Sequence, residues 1–184
     1  MRIISGKYRG RRLSAFNAPH IRPTTDRVKE TMFNKLMGQV EGARVLDLFA
    51  GTGNLGIESL SRGANWVEFV ESNRKSLEIL KKNLELLKVE SGYKITQKDV
   101  FLYLKKFSGD AFDLVLVDPP FTEKWAHDVM MAISMSQVIH DGSVVVIESS
   151  RHERIDDNYE NLKLLDRRNF GDKDMSFFSK DSSK

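Results

Sequence analysis

Residues 43–62 read ARVLDLFAGTGNLGIESLSR. The opening ARVLDLF is a short apolar run with the density of a strand buried on both faces. AGTG then supplies a glycine-rich turn, and NLGIESLSR continues at helical spacing. A strand that passes through glycines into a helix is the first step of an open α/β sheet, and its turn is where such sheets hold ligands.

Working outward, the same rhythm repeats. WVEFVE (66–71) predicts a second strand and NRKSLEILKKNLELLK (73–88) a long amphipathic helix. YKITQKD (93–99), FDLVLVD (112–118) and SVVVIES (143–149) predict three more strands, with helices over VFLYLKKF (100–107) and residues 123–135. Four successive β-α steps imply a parallel sheet covered by helices on both faces. LKLLDRRNF and MSFFSK, joined at Gly171-Asp172, predict a closing antiparallel hairpin. Before the core, RIIS (2–5) and YRGRRL (8–13) predict a small ribbon turning at Gly6-Lys7. A helix capped by Thr24 or Thr25 follows, with Val28, Met32, Phe33 and Leu36 apolar and Gly38 at its end. The chain thus divides into a basic hairpin with its connecting helix, 1–38, and an α/β core, 39–180.

The glycine loop admits two ligands. Gly51, Gly53 and Gly56 satisfy G-x-G-x-x-G, and Glu71 ends the next strand about 20 residues on, which is the dinucleotide fingerprint and points to NAD. Asp47, near the end of the first strand, would repel a pyrophosphate and suits the ammonium and sulfonium of S-adenosyl-L-methionine better. Glu71 accepts from ribose hydroxyls in either reading. Asp99, ending the third strand, either accepts from the adenine amine or caps the following helix.

Asp118-Pro119-Pro120-Phe121 follows the fourth strand, at the sheet edge where ligands bind. Two prolines stiffen the loop and leave carbonyls without local partners. An exocyclic amine set against the Asp118 carboxylate and the Pro119 carbonyl donates two hydrogen bonds and keeps its lone pair for a methyl sulfonium, with Phe121 stacking on the base. The two loops together favour methyl transfer over hydride transfer.

Composition sets limits. At 184 residues the chain fits one domain of ordinary size, and 40% hydrophobic with 30% charged residues reads as a globular protein. Zero cysteines excludes thiolate chemistry, and the four histidines lack metal-ligand spacing, so no metal is expected. No apolar run approaches the roughly 18 residues that cross a bilayer, and MRIISGKYRGRRL places charges where a secretory signal needs apolar residues, so a cytoplasmic protein without membrane contact is expected. Charge is uneven: residues 1–29 hold eight Lys/Arg and one acid, leaving 21 against 25 in the remainder. Arg2, Lys7, Arg9, Arg11, Arg12, Arg22, Arg27 and Lys29, near Tyr8 and Phe16, suit phosphate contact and base stacking. A solvated surface hairpin is the alternative.

The chain resembles the bacterial 16S ribosomal RNA guanine-N2 methyltransferases of the RsmD type. The resemblance is carried by ISGKYRGRRL, RPTTDRVKETMFNKL, VLDLFAGTGNLGIESLSRGA, VDPPF and NFGDKDMSFF and spans nearly the whole chain. It implies an S-adenosyl-L-methionine-dependent enzyme with a Rossmann-like class I methyltransferase fold, whose seven-stranded sheet ends in an antiparallel strand. It also implies 16S RNA or the small ribosomal subunit as partner. Carried over by position, Asp47, Phe49, Gly51, Thr52, Gly53 and Asn54 would hold the methionine part, Glu71 the ribose and Asp99 the adenine. Asp118, Pro119, Pro120 and Phe121 would form the acceptor-amine site, with Asp118 also touching the cofactor. Arg22, Thr24 and Arg27 would sit at the lip of the site or on RNA, or else cap the helix and pair locally. Lys173 departs from the pattern, where a Thr is looked for after Gly-Asp. With no long apolar surface helix left over, a monomer is expected. Methylation of another nucleic-acid amine, and a silent RNA-binding assembly factor, are the competing functions.

Overall fold

The computed structural model describes residues 1–15 and 26–180. Its centre is one eight-stranded sheet of order β3-β2-β1-β4-β5-β8-β7-β6. The strands are β1 (Arg44–Leu48), β2 (Trp66–Glu71), β3 (Tyr93–Gln97), β4 (Phe112–Val117), β5 (Ile139–Ser150), β6 (Asn158–Tyr159), β7 (Leu162–Phe170) and β8 (Lys173–Lys180). Strands β1 to β5 pair in parallel, and β8 runs antiparallel to both β5 and β7. The sequence reading expects seven strands. The eighth is β6, a two-residue pairing with the start of β7, too short to show any alternation.

Alternation along the central strands divides the core. Val45, Phe69, Leu114 and Val146 pack on one face with α1 (Asp26–Lys35), α2 (Asn54–Ser61) and α3 (Arg74–Leu86). Leu46, Leu48, Val115 and Ile147 pack on the other with α4 (Val100–Lys106) and α5 (Ala126–Ser134). Ile3 and Leu13 of the basic segment join the first cluster, so that segment lies on the α2 side of the sheet.

Local differences from the sequence reading have simple causes. Residues 1–13 form one antiparallel bridge, Arg2 to Arg12, instead of two strands turning at Gly6-Lys7. Residues 4–10 are drawn onto α2, where the Lys7 N–H donates to the Ser61 carbonyl at 2.7 Å. A Cβ on Gly6, at φ +81, would lie 1.7 Å from that oxygen, so the crossing requires glycine. The helix expected over 123–135 begins only at Ala126, because Lys124 at φ 54 separates it from a 3-10 turn, Phe121–Glu123. Strand β5 starts at Ile139, ahead of the expected SVVVIES, with Gly142 at φ 90 inside it. No described helix is long and apolar enough to cross a membrane.

Candidate active site

β1 pairs with β2 on one side and β4 on the other. The crossover from β3 to β4 therefore reverses the direction in which the sheet grows. At that reversal the loops after β1 and β4 face each other across a crevice at the carboxyl ends of the strands. The sheet order thus brings the glycine loop and Asp118-Pro119-Pro120-Phe121 together.

Asp47 does not stand open on the crevice as the sequence reading expects. Strand alternation points it, with Val45, at the face covered by α2; it is 1% exposed and its Oδ2 accepts from the Gly56 N–H at 2.8 Å. Burial raises its carboxyl to about 8; the Gly56 bond opposes this, and the neighbouring Asp118 and Glu71 charges reinforce it. Near neutral pH Asp47 therefore carries a proton before a ligand binds, so it does not repel a pyrophosphate as the sequence reading expects. Gly56 is fixed by packing: a Cβ there would lie 2.3 Å from the Phe69 ring.

The loop itself is held by its surroundings. Phe49, at φ 58, takes a left-handed backbone rarely adopted by a bulky residue. Its ring stacks on Trp125 at 6.0 Å, and Trp125 meets Phe101 edge-on at 5.8 Å. Gly51 and Gly53 also have positive φ. Thr52 gives its carbonyl to Asn83 Nδ2 at 3.0 Å, and Asn54 Oδ1 accepts from Lys29 Nζ at 2.9 Å.

Glu71 braces the loop from β2, accepting from the Gly51 N–H at 2.9 Å and from the Asn73 N–H at 2.7 Å. Each of its oxygens keeps a further lone pair. Asp99 Oδ1 caps α4 through the Leu102 N–H at 2.9 Å, as the capping alternative expects, and the residue is exposed. In the loop after β4, Pro119 is buried, Pro120 is exposed, and Asp118 and Phe121 are half-buried.

Sequence reasoning missed four residues here. Lys29, counted among the surface cations, is 1% exposed and contacts the Arg2 carbonyl, Asn54 and Glu58. Its burial pushes its pKa down against the pull of Glu58. Glu58 accepts from the Ile4 and Ser5 N–H groups, and Asn83 exchanges two bonds with the Ser14 backbone. These three tie the basic segment to the glycine loop and the start of α2. The fourth, Lys173, reaches the loop after β4 with its ammonium 4.4 Å from the Phe121 ring centroid while pairing with Glu148. A departure from a family motif was its only signal.

Among the expected RNA contacts, Arg9, Arg11, Arg12 and Arg27 are exposed, and Lys7 lies over the Tyr8 ring. Arg2 pairs with Asp26 at 2.7 Å, and Arg11 donates to the Leu86 carbonyl at 3.3 Å. Arg22, Thr24 and Phe16 lie outside the described residues. Among the described residues no group of three or more His, Asp or Glu could hold a metal. A cavity of about 520 Å³ beneath α4, lined by Arg44, Trp66, Glu68 and Tyr103, contains none of the site residues.

Residues 1–179 match a family model described as "Conserved hypothetical protein 95". Ribosomal RNA small subunit methyltransferase D of Haemophilus influenzae is 37% identical over 153 residues, 82% of this chain and 79% of that protein. The protein of the same name in Escherichia coli is 36% identical over 149 residues, 81% of this chain and 74% of that one. A solved structure from Escherichia coli, yhhF, matches with a TM-score of 0.88 at 30% identity, covering 100% of this chain and 99% of that chain.

Proposed function

The chain belongs to the Conserved hypothetical protein 95 family, the RsmD type, and from that membership we propose that it transfers a methyl group from S-adenosyl-L-methionine to the N2 amine of a guanine in 16S ribosomal RNA. Its fold is the Rossmann-like class I methyltransferase fold. The observation that carries the proposal is the placement of Asp118-Pro119-Pro120-Phe121 directly across the switch point from the glycine loop.

The residues present fit the cofactor. The Asp118 and Glu71 carboxylates lie close enough to Asp47 to raise its proton affinity, a surrounding that favours a cationic ligand. Glu71 offers carboxylate oxygens to the ribose, Asp99 its remaining oxygen to the adenine, and the loop from Asp47 to Asn54 receives the methionine part. Bound there, S-adenosyl-L-methionine supplies a methyl group on a sulfonium.

The chain's own work is positioning. Asp118 and the Pro119 carbonyl each accept one N–H of the guanine amine, which orients its lone pair into the crevice. Phe121 stacks on the base after it leaves its own stack. The amine loses a proton once the new N–C bond forms, so no strong base is needed beforehand. The exposed arginines of residues 9–12 neutralise phosphates.

Asp118→Ala separates chemistry from cofactor binding. Transfer is expected to fall about 10²-fold or more, with the dissociation constant for S-adenosyl-L-methionine within about threefold of the parent. Equal transfer rates in mutant and parent would remove Asp118 from the mechanism.

A further inference from the structure

Lys173 opens β8 where the chain returns from the Gly171-Asp172 turn, opposite Ser150 at the carboxyl end of β5. Two residues back on β5 stands Glu148, 1% exposed, whose carboxylate pairs with the Lys173 ammonium. The lysine side chain is itself only 17% exposed. A buried carboxylate with its cation in place leaves that cation little freedom to wander. The same ammonium lies 4.4 Å from the centroid of Phe121, within cation-π range of the ring that the acceptor site uses for stacking.

Two consequences follow for Phe121. One face of its ring is covered, so an incoming base has the other. The ring is also fixed before the RNA arrives, which lowers the ordering cost of binding. We propose that Lys173, anchored by Glu148, is a positioning residue that fixes the Phe121 ring and reserves its opposite face for the acceptor base. The proposal rests on the methyl-transfer reading of the site.

The test compares Lys173→Met, Lys173→Arg and the neutral pair Glu148→Gln/Lys173→Met, each alone and with Phe121→Leu. The neutral pair keeps the test open if Lys173→Met, which strands a buried carboxylate, fails to fold. For both charge-removing variants, KM for unmodified small-subunit RNA is expected to rise about tenfold. KM for S-adenosyl-L-methionine should stay within about twofold, and Lys173→Arg should restore most of the loss. In the Phe121→Leu background, the Lys173 effect should shrink below about twofold, because it acts through that ring. An unchanged KM for RNA, or an effect that persists undiminished without Phe121, overturns the proposal.

A second arm needs no turnover. Protein loaded with S-adenosylhomocysteine is titrated with guanosine 5′-monophosphate, and the Phe121 ring resonance is followed by NMR. The parent should show a saturating ring shift, and Lys173→Met a severalfold weaker binding curve. No shift in the parent, or identical curves, overturns the positioning role. A parent that fails to methylate RNA counts against the methyl-transfer reading and leaves this arm to decide the role of Lys173.

Discussion

Asp47 makes the folded state sensitive to pH. Its carboxyl, raised to about 8 by burial, holds a proton in the folded protein that an unfolded chain with an ordinary value near 3.9 has already lost. Between about pH 4 and pH 8 the folded state therefore binds more protons through this group, and its contribution to stability declines as pH rises across that window. Asp47→Asn should flatten this decline, read as a smaller fall in Tm between pH 5 and pH 8; an identical fall in both proteins would contradict it. A cationic ligand reverses the balance by favouring the carboxylate. Binding of S-adenosyl-L-methionine near pH 7 should release up to about one proton, measured by calorimetry in buffers of different ionisation enthalpy. In Asp47→Asn the release should vanish, and release undiminished in the variant would place the proton elsewhere.

At the scale of elements, α2 is the joint between the basic segment and the crevice. Glu58 is fully buried on this helix, where Oε2 accepts from the Ile4 N–H and pairs with Lys29 at 3.2 Å and Oε1 pairs with Arg62. Glu58→Gln strands the Lys29 charge and should cost about 3–5 kcal/mol in urea denaturation. Lys29→Met in that background should recover part of the loss, and no recovery would show that the charge pair is not the source. The β1–α2 and β4 motifs were legible in the sequence because dense apolar runs, glycines and prolines act within a few residues of themselves. Asp118, Phe121, Glu71 and the glycine loop were singled out that way. Lys29 was not, because a lysine that folding buries has the same local signature as one left in water. Lys173 escaped for a different reason: its contact with Phe121 depends on the pairing of β8 with β5, which no local pattern records. The two-residue β6 and the break at Lys124 likewise reflect tertiary fit and not periodicity.

Across the whole molecule, the apolar cluster that holds α1, α2 and α3 also takes in Ile3 and Leu13, so the arginine-rich surface is carried on the core itself. Asn83, bonded to both Ser14 and Thr52, joins that surface to the glycine loop. Under the proposed function, exposed Arg9, Arg11 and Arg12 would add phosphate contacts to those of the acceptor base. Replacing all three with Ala should weaken RNA binding and reduce the slope of log affinity against log salt by about two to three, at about 0.7–0.9 per lost phosphate contact. An unchanged slope would leave this surface a structural ribbon. The most direct measurement is transfer of labelled methyl from S-adenosyl-L-methionine to unmodified small ribosomal subunits and, in parallel, to naked 16S RNA, followed by nucleoside analysis. The expected result is label in N2-methylguanosine. Label in another nucleoside, or none in either substrate while the cofactor still binds, would contradict the assignment of this crevice to guanine N2 methylation.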